Sequence, residues 1–441
     1  MKAIIVPGVT DLNKGDQALV WESYRLAKDT GLYDEIYILD SGDTAEERDL
    51  LCRQSEENGF LLLNNILPHP RRGKHNAHEH IRESNFQLLK QVNNAAIDLI
   101  SSWSLINICG DLKKVKRYFG EKTYSTLEKF HQVQTVFVKG GGFIHAYGEK
   151  TAPYLMWYFL FYVRLAKALK KNVVFLPNSF GPFEGFTVKR QVKSVLSKVD
   201  LIYAREYVSA ESLGNLLEKN IPVEMDLGFF LEESKDDEVS HILVKYNLTP
   251  SDKIVGITIR PWRFPGKPNP EELYEKYLKS IEVLATHILA KGYKVALCNQ
   301  SLGPNAHEDD RNAIRELLSR VTHPNLIWID ENLSCRVLKA IYSNFYFFIG
   351  TRFHSIIFSL TSLVPSIAIG YGGNKANGIM RGFNLDKFVI PIDKTDPNML
   401  VNLFEEAIEE YDSVKASLAE SMNLVEKSRE RLIKNIRDLY S

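Results

Sequence analysis

Twelve short apolar runs, six in each half of the chain, alternate with longer stretches of helical periodicity. The first half carries "KAIIVPG", "EIYILD", "TVFVKGGG", "VVFLPN", "LIYARE" and "PVEMDLG". The second carries "IVGITIRP", "KVALCNQ", "NLIWIDE", "FFIGTR", "PSIAIGY" and "FVIPID". Parallel strands are covered by helices on both faces, so they read as unbroken apolar runs separated by helical patterns. At 441 residues the chain is too long for one core. The expectation is therefore an α/β protein with two Rossmann-like, doubly wound domains. The first spans 1–235 and the second 250–400, joined through the polar "EESKDDEVSHILVKYNLTPSD". Residues 401–441 read as C-terminal helices that can cross back to the first domain. Residues 60–134 show helical patterns and no strand beyond "FLLLN", the mark of a helical insertion, with a mobile loop expected in "LPHPRRGKHNAHEH".

Charge excludes one function class. Lys plus Arg and Asp plus Glu number 55 each, and no basic tract occurs, which argues against a nucleic-acid partner held by counterion release. An anionic ligand must then be gripped by a local group of side chains. Cys52, Cys109, Cys298 and Cys335 form no CxxC pair, so a reducing, cytoplasmic setting fits better than a disulfide framework. "MKAIIVPG" is too short for a signal sequence, and "APYLMWYFLFYVRLAKALKK" is broken by Arg164, as suits a buried helix rather than a membrane span. The spacing of His69, His75, His78 and His80 matches no zinc signature, and no metal is expected.

Ligands of open α/β sheets bind beyond the carboxyl ends of the strands. "FFIGTRFHSIIFSL" places Arg352 and His354 at such an end, between two apolar segments. Thr351 reads as the N-cap, with both cations in the first helical turn beside the positive end of the helix dipole. A bound anion reverses that unfavourable placement, and Lys375 in the next glycine-rich loop can close over it. The alternative is that Arg352 pairs with an internal carboxylate and His354 is a satisfied core histidine. In "NKGDQAL" Asp16 is either a helix cap or a catalytic carboxylate, and the motif lacks P-loop spacing. "KGGGFIHAYG" brings His145 and Tyr147 to a strand end, and "PNSFGPF" brings Asn178. Arg205 stands beside Glu206, with which it can pair. Arg260, Trp262 and Arg263 suit an anion with a stacked sugar ring, or a packed surface loop.

In this order, "NKGDQAL", "KGGGFIHAYG", "PNSFGPF", "AREYVSAESL", "MDLGFFL" and "GTRFHSIIFSLTSLVPSIAIGYGGNKANGIM" resemble the polysaccharide pyruvyl transferase family over nearly the whole chain except the insertion. The resemblance implies a GT-B-like fold, two Rossmann-like domains facing a central cleft. It implies pyruvyl transfer from phosphoenolpyruvate to a sugar, commonly as a cyclic ketal, in polysaccharide or exopolysaccharide biosynthesis. Arg352, His354 and Lys375 then hold the donor, Arg205 matches the family's arginine before the "S…L" helix, and Arg260 joins them. His354, with Asp16 or Glu206, supplies acid–base catalysis. His145, Tyr147, Trp262 and Asn178 face the acceptor, a free, polymeric or lipid-linked glycan through which the enzyme touches a membrane peripherally. No cofactor is implied beyond the donor substrate. Glu206 replaces a frequent aspartate, and the insertion leaves the acceptor open. A GT-B glycosyltransferase using a nucleotide sugar is the rival reading.

Overall fold

A computed structural model of the protein describes residues 1–68, 85–249, 251–371 and 375–441, with backbone alone at 85–91, 375–377 and 379. The loop after residue 68 and the four histidines 69, 75, 78 and 80 lie outside the described residues.

Seven strands form the first sheet: β1 (Lys2–Val6), β2 (Glu35–Leu39), β3 (Leu61–Leu63), β4 (Thr135–Val138), β5 (Gly141–Tyr147), β6 (Asn172–Glu184) and β7 (Leu201–Ala204). Six form the second: β8 (Ile254–Thr258), β9 (Lys294–Cys298), β10 (Leu326–Ile329), β11 (Phe347–Gly350), β12 (Ser366–Gly370) and β13 (Val389–Pro391). Every ladder is parallel. The second sheet runs β10-β9-β8-β11-β12-β13. In the first, β4 and β5 pair successive stretches of β6 and share one position, giving β3-β2-β1-(β4,β5)-β6-β7. Both sheets thus have the Rossmann order, in which the direction of winding reverses beside the first strand. Residues of β4, β8 and β11 are buried throughout, which explains their unbroken apolar sequence.

Two strand expectations need correction. "PVEMDLG" forms no strand; its end is a 3-10 turn over Leu227–Phe230, capped by Asp226. "GGFIHAY", expected as a loop, is β5, because β6 continues for 13 residues and offers it a pairing edge. Between 60 and 134, β3 falls within the "FLLLN" run, and the helices Asn85–Ile108 and Leu112–Gln132 follow it. The apolar run after Thr151 is the helix Ala152–Ala168, and no described helix is long and apolar enough to cross a membrane.

The two sheets are tied together at their facing ends. Lys14 N donates to Gln300 O at 3.0 Å, and Leu302 N to Leu12 O at 2.9 Å, so the loops after β1 and β9 share backbone hydrogen bonds. The buried Lys14 ammonium also donates to Gln54 Oε1 and Asn332 Oδ1 at 3.0 and 2.7 Å. Burial lowers its pKa to about 8, against the pull of Asp11. The final helix, Tyr411–Asp438, packs on the helix Lys14–Asp29 and on the turn at Leu227–Phe230. Its Leu418, Val425, Leu432 and Ile436 enter a core that also holds residues of both sheets.

Candidate functional site

The winding reverses between β1 and β4 in one sheet and between β8 and β11 in the other. The loops leaving those strands face one another across a cavity of about 340 Å³. Asn13, His145, Tyr147 and Arg205 line it from the first sheet; Trp262, Thr351, Arg352, Phe353, His354 and Tyr371 line it from the second.

His354 sits where two glycines leave room for it. A Cβ on Gly15 would lie 2.1 Å from His354 Nδ1, and one on Gly228 would lie 3.0 Å from His354 Cδ2. These close approaches explain the glycines of "NKGDQ" and "DLGFF". His354 Nε2 stands 3.5 Å from Asp226 Oδ1, an ion-pair distance that leaves this buried nitrogen without a hydrogen-bond partner. The same Asp226 oxygen accepts from Gly228 N at 2.8 Å, and Oδ2 accepts from Arg205 Nη1 at 2.5 Å. Burial pushes the Asp226 pKa up, but Arg205 and His354 outweigh it and hold the carboxyl well below the usual carboxylate range. Arg205 Nε donates to Ser179 Oγ at 2.7 Å, and its guanidinium lies 4.9 Å from the Phe353 ring centre. A chain of contacts therefore runs from Arg205 in the first half through Asp226 to His354 in the second.

The helix after β11 is Phe353–Thr361, and its N-cap residue is Arg352 rather than Thr351, with no side-chain cap. Of the first-turn N–H groups, that of Ser355 turns back to Arg352 O at 3.1 Å, so those of Phe353 and His354 are the ones at the open end of the helix. Arg352 is buried and already paired, contrary to the external partner expected from sequence. Its Nε and Nη2 donate to Asp310 Oδ1 at 2.8 and 2.6 Å, and its Nη1 donates to Glu308 Oε2 at 2.8 Å. Burial works against the charge, but Asp310 and Glu308 keep the guanidinium firmly protonated. Asp310 also accepts from Gln300 N and Ser301 N, at 3.0 and 2.9 Å, so it is fixed in place. Arg260 donates from Nη2 to Glu308 Oε1 at 3.3 Å and lies 4.6 Å from the Trp262 ring and 4.2 Å from the Tyr371 ring. Its Nε is buried without a partner. One carboxylate, Glu308, therefore joins both arginines, and its side chain is 36% exposed where that of Asp310 is fully buried.

Other candidates lie elsewhere. Asn13 is the N-cap of its helix, accepting from Gly15 N and Asp16 N at 3.1 and 3.3 Å. Asp16 is in the first turn, 3.4 Å from the buried Lys139 ammonium, and does not border the cavity. Glu206 occupies an N-cap position, accepts from Ser209 Oγ and lies 3.5 Å from Arg205; it too is off the wall. Asn178, expected on the acceptor side, is fully buried. Its amide nitrogen donates to Lys139 O and Leu176 O at 2.8 and 2.9 Å, which braces the strand ends, while its Oδ1 is buried without a hydrogen-bond partner. Lys375 opens the helix Lys375–Gly382, but its side chain lies outside the described residues. His145 packs its ring 5.3 Å from that of Tyr147 at the exposed side of the cavity. No group of acidic, histidine or cysteine residues suited to a metal occurs among the described residues. Asp226, Glu308, Asp310 and Tyr371 were not singled out from the sequence. Only Asp226 carried a signal, as the acid of "MDLGFFL".

Comparison with known proteins places this geometry. The chain is 24% identical to the amylovoran biosynthesis protein AmsJ of Erwinia amylovora, covering 99% of this chain and 97% of that one. Its fold is similar to that of MnaA from S. aureus in complex with UDP, with TM-score 0.57 and 13% identity over 99% of this chain and 96% of that one. It is also similar to UDP-GlcNAc 2-epimerase from Neisseria meningitidis bound to UDP-GlcNAc, with TM-score 0.52 and 13% identity over 99% of each chain. At such identities the likeness speaks for the fold, which is GT-B-like: two Rossmann-like units with a cleft between their strand ends. The sequence profile described as polysaccharide pyruvyl transferase matches residues 13–373, from the cap of the first helix to the glycine-rich loop after β12. The chain belongs to the polysaccharide pyruvyl transferase family.

Proposed function

We propose that this protein transfers a pyruvyl group from phosphoenolpyruvate to a sugar of a polysaccharide or its precursor, leaving a pyruvate ketal. The observation that carries the reading is His354, wedged against Gly15 and Gly228 with a buried, hydrogen-bond-free Nε2, in a cavity walled by arginines. Beside it the uncapped start of the helix Phe353–Thr361 offers first-turn N–H groups suited to a phosphate. The volume is at the small end of ligand sites, which suits a three-carbon donor.

In this scheme the carboxylate of the donor takes the place of Glu308 between Arg260 and Arg352, as planar guanidinium groups favour bidentate contact. The imidazolium of His354 gives its proton to the methylene carbon, while Asp226 stabilises the charged ring. A sugar hydroxyl forms a bond to the central carbon, and its proton passes to His145 on the opposite wall. Cleavage of the carbon–oxygen bond to phosphate, which takes up the proton from His145, then lets the second hydroxyl close the ketal; its proton returns to His354 as inorganic phosphate leaves. Arginine side chains and helix N–H groups neutralise that phosphate, so no metal or organic cofactor enters the scheme. Asp16 and Glu206 keep the structural tasks of balancing Lys139 and ordering the turn at Ser209.

The test is sugar-dependent release of inorganic phosphate from phosphoenolpyruvate, with the product checked by mass spectrometry for one added carboxyethylidene group. His354→Ala is expected to slow turnover at least tenfold, about 1.4 kcal/mol in barrier height. Glycosyl transfer from a nucleotide sugar, with phosphoenolpyruvate inert, would overturn the reading.

A further inference from the structure

The helix Asn85–Ile108 exposes a row of large apolar side chains among its described residues. Val92, Leu99, Ile100 and Trp103 recur at helical spacing along one face, and they are 60%, 39%, 66% and 58% exposed. The opposite face is buried and carries Asp98 and Ser102 beside the core residue Leu105. Asp98 accepts from Tyr154 Oη at 3.1 Å, and Ser102 accepts from Trp157 Nε1 at 2.8 Å. An ordinary surface helix turns its apolar stripe inward and its charges outward. Here the only acid of the helix, Asp98, points into the protein while an indole and four aliphatic side chains, Ile97 among them, meet solvent. Soluble proteins rarely present such a stripe without a partner for it.

The next helix supplies the chemistry of that partner. Leu112–Gln132 begins with exposed Lys113, Lys114, Lys116 and Arg117, followed by Lys122, and buries Val115 beneath them. Asp111 and Glu121 are the acids of this stretch, and each is already matched, to Lys114 at 3.4 Å and Lys116 at 2.9 Å. The short turn at Gly110 and Asp111 sets this basic start next to the Trp103 end of the apolar stripe. Exposed aliphatic residues, an interfacial tryptophan and a basic rim are what an interfacial helix presents to a bilayer with anionic headgroups.

We propose that the exposed apolar row from Val92 to Trp103, with the basic start of Leu112–Gln132, docks the enzyme on an anionic lipid surface. The helix lies on the bilayer without crossing it, since no described helix is long and apolar enough to span. A second copy of the chain answers the charge less well. A two-fold contact offers each basic rim only the same surface of its mate, whose acids are already matched. The placement also suits the chemistry. The helix Asn85–Ile108 packs on Ala152–Ala168, the helix that follows β5, and β5 carries His145 and Tyr147 to the cavity wall. The docking face is thus one helical layer from the acceptor side. Its use, holding the site at a lipid-linked glycan, rests on the pyruvyl-transfer reading; the surface itself rests on exposure and charge.

The test is co-sedimentation of the full chain with vesicles of phosphatidylcholine, with and without about a third of phosphatidylglycerol. Binding is expected to the anionic vesicles and to weaken with salt. The double variant Ile100→Asp, Trp103→Asp should lower the partition coefficient about tenfold or more. Lys113→Glu and Arg117→Glu should each lower it about fivefold or more. All four substitutions are at exposed sites, and turnover of phosphoenolpyruvate with a water-soluble sugar should be unchanged. Failure of the wild type to sediment with anionic vesicles overturns the proposal, as does unaltered binding by the double variant. So does a solution dimer that the double variant dissociates, which would assign the face to a second copy. A wild type that turns over phosphoenolpyruvate but does not bind the anionic vesicles refutes only the docking face, whereas a wild type that binds them without turnover of phosphoenolpyruvate refutes only the assigned reaction.

Discussion

Gly15 and His354 cannot be changed independently. Gly15 is in a helix with ordinary backbone angles, so alanine there would raise intrinsic helix propensity by about 1 kcal/mol. Its methyl group would nevertheless fall on His354 Nδ1. Gly15→Ala is therefore expected to cut turnover at least tenfold, about 1.4 kcal/mol, as measured by initial rates at saturating donor. Unchanged rates would show that the position of His354 is unimportant. Arg352 behaves differently. Removing it strands the buried carboxylate of Asp310, so Arg352→Ala should cost about 3 kcal/mol in urea unfolding, whatever its effect on binding. Glu308 is the informative neighbour, because it joins the two arginines to which the proposed scheme assigns the donor. Glu308→Gln is expected to tighten phosphoenolpyruvate binding about tenfold in calorimetric titration; weaker binding would make Glu308 a support for the arginines instead. At this scale the sequence reveals cations placed at strand ends but not their carboxylates. Asp310 and Arg352 are 42 residues apart, and nothing local in "GPNAHEDD" announces the contact.

Between elements, Asp226 is the joint. It caps the turn Leu227–Phe230 of the first half and meets His354 at the head of a helix in the second. The folded-state pKa of Asp226 is depressed below its unfolded value, about 3.9 for aspartate. Its contribution is thus fully present above that value and is lost as pH falls through the lower, folded value. Asp226→Asn should cost about 3 kcal/mol at neutral pH by leaving Arg205 without its buried partner. The gap between wild type and variant in urea unfolding should narrow only below about pH 4; narrowing already near neutrality would contradict the assignment. The strand pattern was legible because buried parallel strands need continuous apolar runs, and all six of the second half appear where such runs stand. "PVEMDLG" has the same composition without the pairing. Its Val223 makes a single bridge to Ala204, and Asp226 turns the chain. In β5 the glycines that suggest a loop are tolerated because the long β6 supplies an edge.

The whole molecule is one body with two sheets. The final helix, Tyr411–Asp438, spans both, placing Leu418 and Ile436 in the shared core while Arg431 pairs with Glu224 and Arg437 Nε donates to Thr30 O at 2.8 Å. Each buried aliphatic side chain on it is worth about 1.5–3 kcal/mol. Four of them exceed or equal the usual stability of a domain, about 5–15 kcal/mol, at its lower end. A chain ending at Glu410 is accordingly expected to lose cooperative unfolding in calorimetry; an unchanged single transition would mean the helix is dispensable. Periodicity alone predicted a helix there, and its amphipathic face implied a partner, but which sheet it covers depends on contacts across about the full length of the chain.

The central claim is that the cleft between the two sheets is built for a small phosphate-bearing carboxylate held around His354. Isothermal titration of phosphoenolpyruvate into the wild type and into His354→Ala, with a nucleotide sugar titrated in parallel, tests it most directly. Saturable binding of phosphoenolpyruvate by the wild type, weakened at least tenfold in the variant, is the predicted result. Binding of the nucleotide sugar with no heat from phosphoenolpyruvate would contradict it.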